Sequence, residues 1–247
     1  MDRYIVYSYR YCSYWNWQLI GDNLKKEVIV LSLGGSVVVP DNVDVKFLKG
    51  FRNLIKSYLK KFRFIFTVGG GHTCRLYQKA ANSIIKLDAE NLDWLGIHST
   101  RLNAHLIKTI FFDVAHNKII KDPNNKERFD KILVAAGWKP GFSTDYDAVI
   151  LAKNYGAKTV INMTNVDSLY TKNPKEYKGA KKIKKIDWQG FRKIVGDKWV
   201  PGMNVPFDPI AAKEAQRSKL RLVLLGKNLN NFKNFLDGKK FQGSVVE

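Results

Sequence analysis

Cysteine is scarce in this 247-residue chain: Cys12 and Cys74 form no CxxC pair and stand far apart in sequence. That argues against a zinc knuckle and a disulfide framework and leaves free thiols as the expectation. Nowhere does an uninterrupted apolar run approach the ~20 residues needed to cross a bilayer, so no membrane span is expected. The four histidines, His72, His98, His105 and His116, lack metal-ligand spacing such as HExxH and read as structural or exposed. Neither GxxxxGK[ST] nor GxGxxG occurs, which removes the support for a P-loop NTPase or a dinucleotide-binding domain. Internal repeats and low-complexity tracts are also missing.

Acidic residues are few. Asp and Glu number 22 against 42 Lys and Arg, a formal charge of +20, and such a field concentrates anionic ligands. Nucleotides, phosphates and nucleic acids all meet that description. No aromatic and basic recognition motif for RNA appears in the core, so nucleic acid is not the expected partner. The 45% hydrophobic and 26% charged fractions are those of an ordinary globular chain, and this length supports one sizeable core.

Residues 1–26 differ from the rest, with Tyr4, Tyr7, Tyr9, Tyr11, Tyr14, Trp15 and Trp17 crowded into a stretch of little periodicity. They read as an aromatic-rich N-terminal extension. No basic stretch leads into an apolar core there, so a secretion signal is not indicated and a cytoplasmic location is expected. From residue 28 onward, short apolar runs alternate with helical patterns, the mark of parallel βα units. Strands are expected at 28–33, 64–68, 131–135, 158–163 and 221–225. Helices are expected at 45–61, 73–82, 99–114, 144–155 and 208–218, the last opened by Asp208-Pro209, a capping carboxylate followed by a first-turn proline. The order fits a three-layer α/β/α sandwich around a mostly parallel sheet.

Three expected strands run straight into glycine turns: Gly34-Gly35-Ser36, Gly69-Gly70-Gly71, and Gly137 with Pro140-Gly141 nearby. In a parallel sheet such turns share the carboxyl edge, where open α/β sheets bind ligands. Glycine lets backbone N–H groups approach a phosphate with no side chain between, and a following helix N-terminus adds partial positive charge. Two phosphate-bearing ligands are what such an edge would hold.

The residues beyond the extension resemble the amino-acid-kinase family and, within it, the archaeal-type uridylate kinases. The resemblance is carried in order by LSLGGSVVVP from Leu31, TVGGGHTCRLYQKA from Thr67, LDWLGIHSTRLNA from Leu92, PGFSTDYDAVILA from Pro140, INMTNVDSLYTKNP from Ile161 and FDPIAAKEAQRSKL from Phe207. It implies a kinase that transfers the ATP γ-phosphate to UMP, with ATP and Mg2+ as cofactors, no protein-held metal site, and a homo-oligomer, a hexamer in the family. One kinase domain would span 27–247, with an acceptor lobe at about 27–157 and an ATP lobe at about 158–247. By the same resemblance Gly34, Gly35 and Ser36 hold the transferring phosphates; Gly70, Gly71, Arg75, Asp93 and Thr144 face the acceptor; and Thr164, Asn165, Asp167, Tyr170, Asn173 and Pro174 wrap the ATP ribose and base. Asp145 takes the acidic position that orients the catalytic groups, together with Gly35 and Ser36.

Two departures from the family pattern bear on this. Many members carry a lysine where this chain has Ser32; Lys139 or a lysine of the 181–185 cluster is then a candidate source of charge. The family's TTDAV reads here as Ser143-Thr144-Asp145-Tyr146-Asp147-Ala148-Val149. Either Asp145 or Asp147 fits the carboxylate position, and Asp145 is favoured because the loop from Pro140 then keeps its length. The alternatives are a sister kinase acting on a carboxylate, carbamate or isoprenoid phosphate, and a noncatalytic nucleotide- or oxyanion-binding relative.

Overall fold

The computed structural model describes residues 26–172, 174, 176–198 and 205–247; the aromatic extension falls outside them, except for Lys26. The chain runs β1 (Glu27–Leu33), α1 (Gly35–Val38), α2 (Val45–Tyr58), β2 (Phe62–Val68), α3 (Gly71–Ile84), α4 (Ala89–Ile110), β3 (Ala115–Ile120), β4 (Ile132–Ala135), α5 (Thr144–Tyr155) and β5 (Thr159–Thr164). It continues with β6 (Leu169–Tyr170), β7 (Lys182–Ile183), β8 (Lys185–Ile186), α6 (Trp188–Val195), α7 (Pro209–Arg217), β9 (Arg221–Gly226), α8 (Leu229–Leu236) and β10 (Ser244–Val246).

One sheet of order β3-β4-β2-β1-β5-β9-β10-β8 forms the middle layer, and β6 pairs with β7 outside it. Pairing is parallel from β3 through β9 and turns antiparallel only at β10. The strands β1 and β2 are buried on both faces because helices cover both, and their near-continuous apolar runs follow from that. On one face Ile29, Leu31 and Leu33 pack with Phe47, Phe51 and Ile55 of α2, Ala104 and Ile107 of α4, and Phe232 and Leu236 of α8. Val28 and Val30 point to the other face, where α5, α6 and α7 supply Val149, Phe191 and Ala211. The three-layer expectation is met.

Phe51, Phe66 and Phe111 are fully buried, their ring centroids 5.4–6.0 Å apart. Burying each contributes about 1.5–3 kcal/mol, and Phe66→Ala would cost about 3–5 kcal/mol through the cavity it leaves.

Local chemistry sets the helix ends. The Asp44 carboxylate accepts from Phe47 N to start α2. That helix stops at Tyr58, short of the expected residue 61, because Lys61 N turns back to Tyr58 O. The α4 helix begins ten residues before the expected 99: Asp88 caps it by accepting from Asn91 N. Ser143 caps α5, and Gly156 ends it at φ 65°, the left-handed conformation glycine takes freely. Asp208 caps α7 through Ile210 N and Ala211 N at 2.6 and 2.9 Å. The edge strand β3, the helices α6 and α8, and β10 have no counterpart among the expected elements.

Candidate active site at the strand tips

The parallel register brings the ends of β1, β2, β4 and β5 to one edge, where the glycine turns meet. Gly34 N donates to Met163 O and Gly69 N to Leu33 O, both at 2.9 Å, so each turn is tied to its neighbouring strand. The turns then touch main chain to main chain. A Cβ placed on Gly35 would lie 1.9 Å from Gly71 N and 2.5 Å from Gly71 Cα, a position no side chain can share. Gly71 adopts φ +64°, a left-handed conformation suited to glycine. The backbone N–H groups of Gly35, Ser36, Gly70 and Gly71 find no backbone acceptor among the described residues. They begin α1 and α3, so donors and partial positive charge are offered at one spot.

Asp145 stands over this edge from the start of α5. Its Oδ1 accepts from Ser32 Oγ at 2.9 Å and its Oδ2 from Asp208 N at 3.3 Å. Burial pushes its pKa up from 3.8 to about 6; the Ser32 hydroxyl and the Asp208 N–H oppose the rise, and the negative Asp208 adds to it. Asp147 faces elsewhere. It is 1% exposed, its Oδ2 accepts from Trp138 N at 3.2 Å, and burial holds its pKa well above the ordinary value. Of the two carboxylates, Asp145 is the one joined to the β1 tip.

Beside Ser36 a cavity of about 470 Å³ is lined by Thr164, Asn165, Tyr170, Lys172 and Pro174, among others. Ser36, Thr164, Asn165, Tyr170 and Pro174 are thus brought together as the sequence predicts. Asp167 does not line the cavity. It accepts from Lys182 Nζ at 2.6 Å and Tyr170 Oη at 2.9 Å. Partial burial would raise its pKa, but Lys182 and Tyr170 outweigh that and hold it below the ordinary value. Asn173 lies outside the described residues.

On the opposite flank, Asp93 of α4 accepts from Gly141 N at 2.7 Å, and burial pushes its pKa up against that bond. It reaches the Pro140-Gly141 loop, which leads into Thr144. Arg75 is exposed, and its guanidinium donates to Pro40 O at 3.1 Å, beside the α3 start. Lys139 Nζ lies 4.1 Å from the Trp138 ring centroid. Motif reading passed over Asn103, whose amide holds the second glycine turn, and the backbone N–H that Asp208 gives Asp145. The only signal for Asn103 was its place inside a longer motif.

The Amino acid kinase family profile matches residues 27–226. The chain belongs to that family. Two curated relatives carry the name uridylate kinase: the protein of Thermoplasma volcanium is 35% identical over 90% of this chain and 98% of its own length, and that of Sulfurisphaera tokodaii is 31% identical over 89% and 98%. Among solved structures, the uridylate kinase of Archaeoglobus fulgidus superposes with TM-score 0.76 at 31% identity, covering 89% of this chain and 99% of that one.

Proposed function

We propose that this protein is an ATP-dependent UMP kinase, forming UDP and ADP in the cytoplasm. The observation that carries the reading is the main-chain contact of Gly35 with Gly71. On this reading the donor turn lies against the acceptor turn, with Asp145 above and the 470 Å³ cavity alongside. The uridylate kinase names of the relatives support UMP as the acceptor.

In the reaction an oxygen of the UMP phosphate attacks the γ-phosphorus of ATP as the bond to the β–γ bridging oxygen breaks, leaving ADP. A nucleotide phosphate is already ionised, so no base is required, and positioning and charge stabilisation supply most of the rate. The N–H groups of Gly35 and Ser36, following Gly34, receive the transferring phosphates. Gly70 and Gly71 receive the acceptor phosphate, with Arg75 beside them as a guanidinium fork. Thr144 and Asp93 shape the nucleoside side. Thr164, Asn165, Tyr170 and Pro174 enclose the ATP base and ribose, Asn173 adjoins them in sequence, and Asp167 fixes Tyr170. Asp145 with Ser32 keeps the two turns in line.

Ser32 leaves the β1 tip without an ammonium group. On the ATP side Lys172 lines the cavity and Lys182 lies beside Tyr170, whereas Lys139 lies against Trp138. Mg2+ would arrive with the ATP phosphates and keep several waters, neutralising the phosphate charge. The acceptor lobe would span 27–157 and the ATP lobe 158–247.

The protein would also be a homo-oligomer, a hexamer by family resemblance. The α3 helix buries no residue within the chain, yet presents Leu76, Tyr77 and Ile84 at 53%, 59% and 86% exposure. A continuous apolar stripe of that kind calls for a covering surface, and a second copy would supply it.

One assay tests the central reading: ADP release from MgATP with UMP, CMP, AMP, acetylglutamate or aspartate. Release that depends on UMP is expected. Stimulation by none of them would replace this reading with a noncatalytic binding protein, and stimulation by acetylglutamate or aspartate alone with a sister kinase.

A further inference from the structure

The N–H groups of the second glycine turn could face the cleft or turn away from it. Cys74 N in the first turn of α3 reaches Gly70 O at 3.3 Å, and α4 supplies the shorter bonds that hold both the Gly69 and Gly70 carbonyls. Asn103, 3% exposed, places its amide Nδ2 2.9 Å from Gly69 O and 3.0 Å from Gly70 O, donating to both. In a trans peptide the carbonyl and the following N–H point in opposite directions. Drawing the carbonyls of Gly69 and Gly70 toward α4 therefore turns the N–H groups of Gly70 and Gly71 outward. There they meet the Gly35 turn instead of an internal acceptor.

The same helix holds the third glycine turn. Thr100 Oγ1 accepts from Gly137 N at 2.8 Å, Arg101 Nη2 donates to Trp138 O at 3.1 Å, and Asp93 takes Gly141 N. Between Asp93 and Asn103 the helix presents a ladder of polar groups, each matched to a main-chain atom of one of two loops. A rigid helix with this ladder fixes the loops relative to each other.

We infer that Asn103 is a positioning residue for phosphoryl transfer, aiming the Gly70 and Gly71 amides at the anionic acceptor while α4 aligns the loop after β4. The inference rests on the assignment of that turn to the acceptor, given under the proposed function. Asn103 touches neither substrate; it acts through the backbone.

Three variants test it, with steady-state kinetics, thermal melting and hydrogen exchange of peptides covering 69–72. Asn103→Leu removes both donors while keeping similar bulk, and should lower kcat/KM for UMP about 10- to 100-fold, the scale of a misplacement near 1 Å, with KM for ATP within about twofold of wild type. Asn103→Asp puts a carboxylate against two carbonyl oxygens. Its activity relative to wild type should rise as pH falls, because the protonated acid regains one O–H donor. Asn103→Ala should speed exchange at 69–72 beyond the change elsewhere. Equal weakening toward both nucleotides, a pH-independent ratio for Asn103→Asp, or unchanged exchange at 69–72 would overturn the inference. If wild type fails to phosphorylate UMP, the functional reading falls while the exchange experiment still reports on the turn.

Discussion

Replacing Asp145 by asparagine should stabilise the ligand-free protein while disabling it. Asp145 titrates at about 6 in the fold against an ordinary 3.8. Between those values the native state holds a proton that the unfolded chain has released, so stability falls as pH rises through that window. Above about pH 7 the full penalty applies, about 3 kcal/mol at 1.36 kcal/mol per pKa unit. Two corrections reduce it. Asp145 as a residue is only partly buried, so solvent screening removes part of the cost. Asparagine can keep the Ser32 bond but loses the acceptor for Asp208 N, a bond of 3.3 Å worth about 1 kcal/mol or less. A net gain of about 1–2 kcal/mol remains at about pH 8, or roughly 2–8 °C in Tm for a chain of this size. Below about pH 3 both states of the wild type are protonated and the gain should vanish. Urea unfolding of both proteins at about pH 8 and pH 3 reads this directly, and kcat at about pH 8 should fall about 100-fold or more. A variant destabilised equally at both pH values, or one with wild-type kcat, would refute the reasoning.

Other expectations follow from neighbouring residues. Asp147→Asn, with its carboxyl turned to Trp138 N, should leave kcat within about threefold of wild type, measured beside Asp145→Asn in the same coupled ADP assay. Gly35→Ala drives a methyl into the Gly71 main chain and should abolish turnover while the protein still melts cooperatively, read by kinetics and calorimetry. Lys182→Met frees Asp167 and should raise KM for ATP a few-fold without changing KM for UMP. Charging the α3 stripe with Leu76→Glu and Tyr77→Glu should convert the assembly to monomers by light scattering, as like charges then face each other across the contact.

Elements whose period and end signals agree were legible from residue types alone. For α5, the helical pattern and the glycine that follows it at Gly156 agree on one answer, and the helix lies at 144–155 as expected. The α4 start was misplaced because its first turns keep polar and partly exposed residues, and the cap at Asp88 carries no strong apolar stripe after it. The edge strand β3, Ala-His-Asn-Lys-Ile-Ile, is half exposed and held by pairing with β4, a long-range contact that no local pattern encodes. At the site, the glycine turns were readable because backbone freedom is written in residue type; of the residues that the family resemblance puts on the ATP side, Thr164, Asn165, Tyr170 and Pro174 line one cavity while Asp167 does not. The choice between Asp145 and Asp147 depends on which carboxylate the first turn of α5 aims at Ser32, and that is decided by the packing of α5 on β1.

Where Gly35 and Gly71 meet, the gap between the two halves of the cleft is set by peptide planes with no side chain between them. Drift in the surrounding sequence can retune who binds on either flank, yet it has no handle on the length of the phosphoryl jump itself. On the proposed assignment of the two turns, a change of nucleotide on either flank leaves the length of that step as it is.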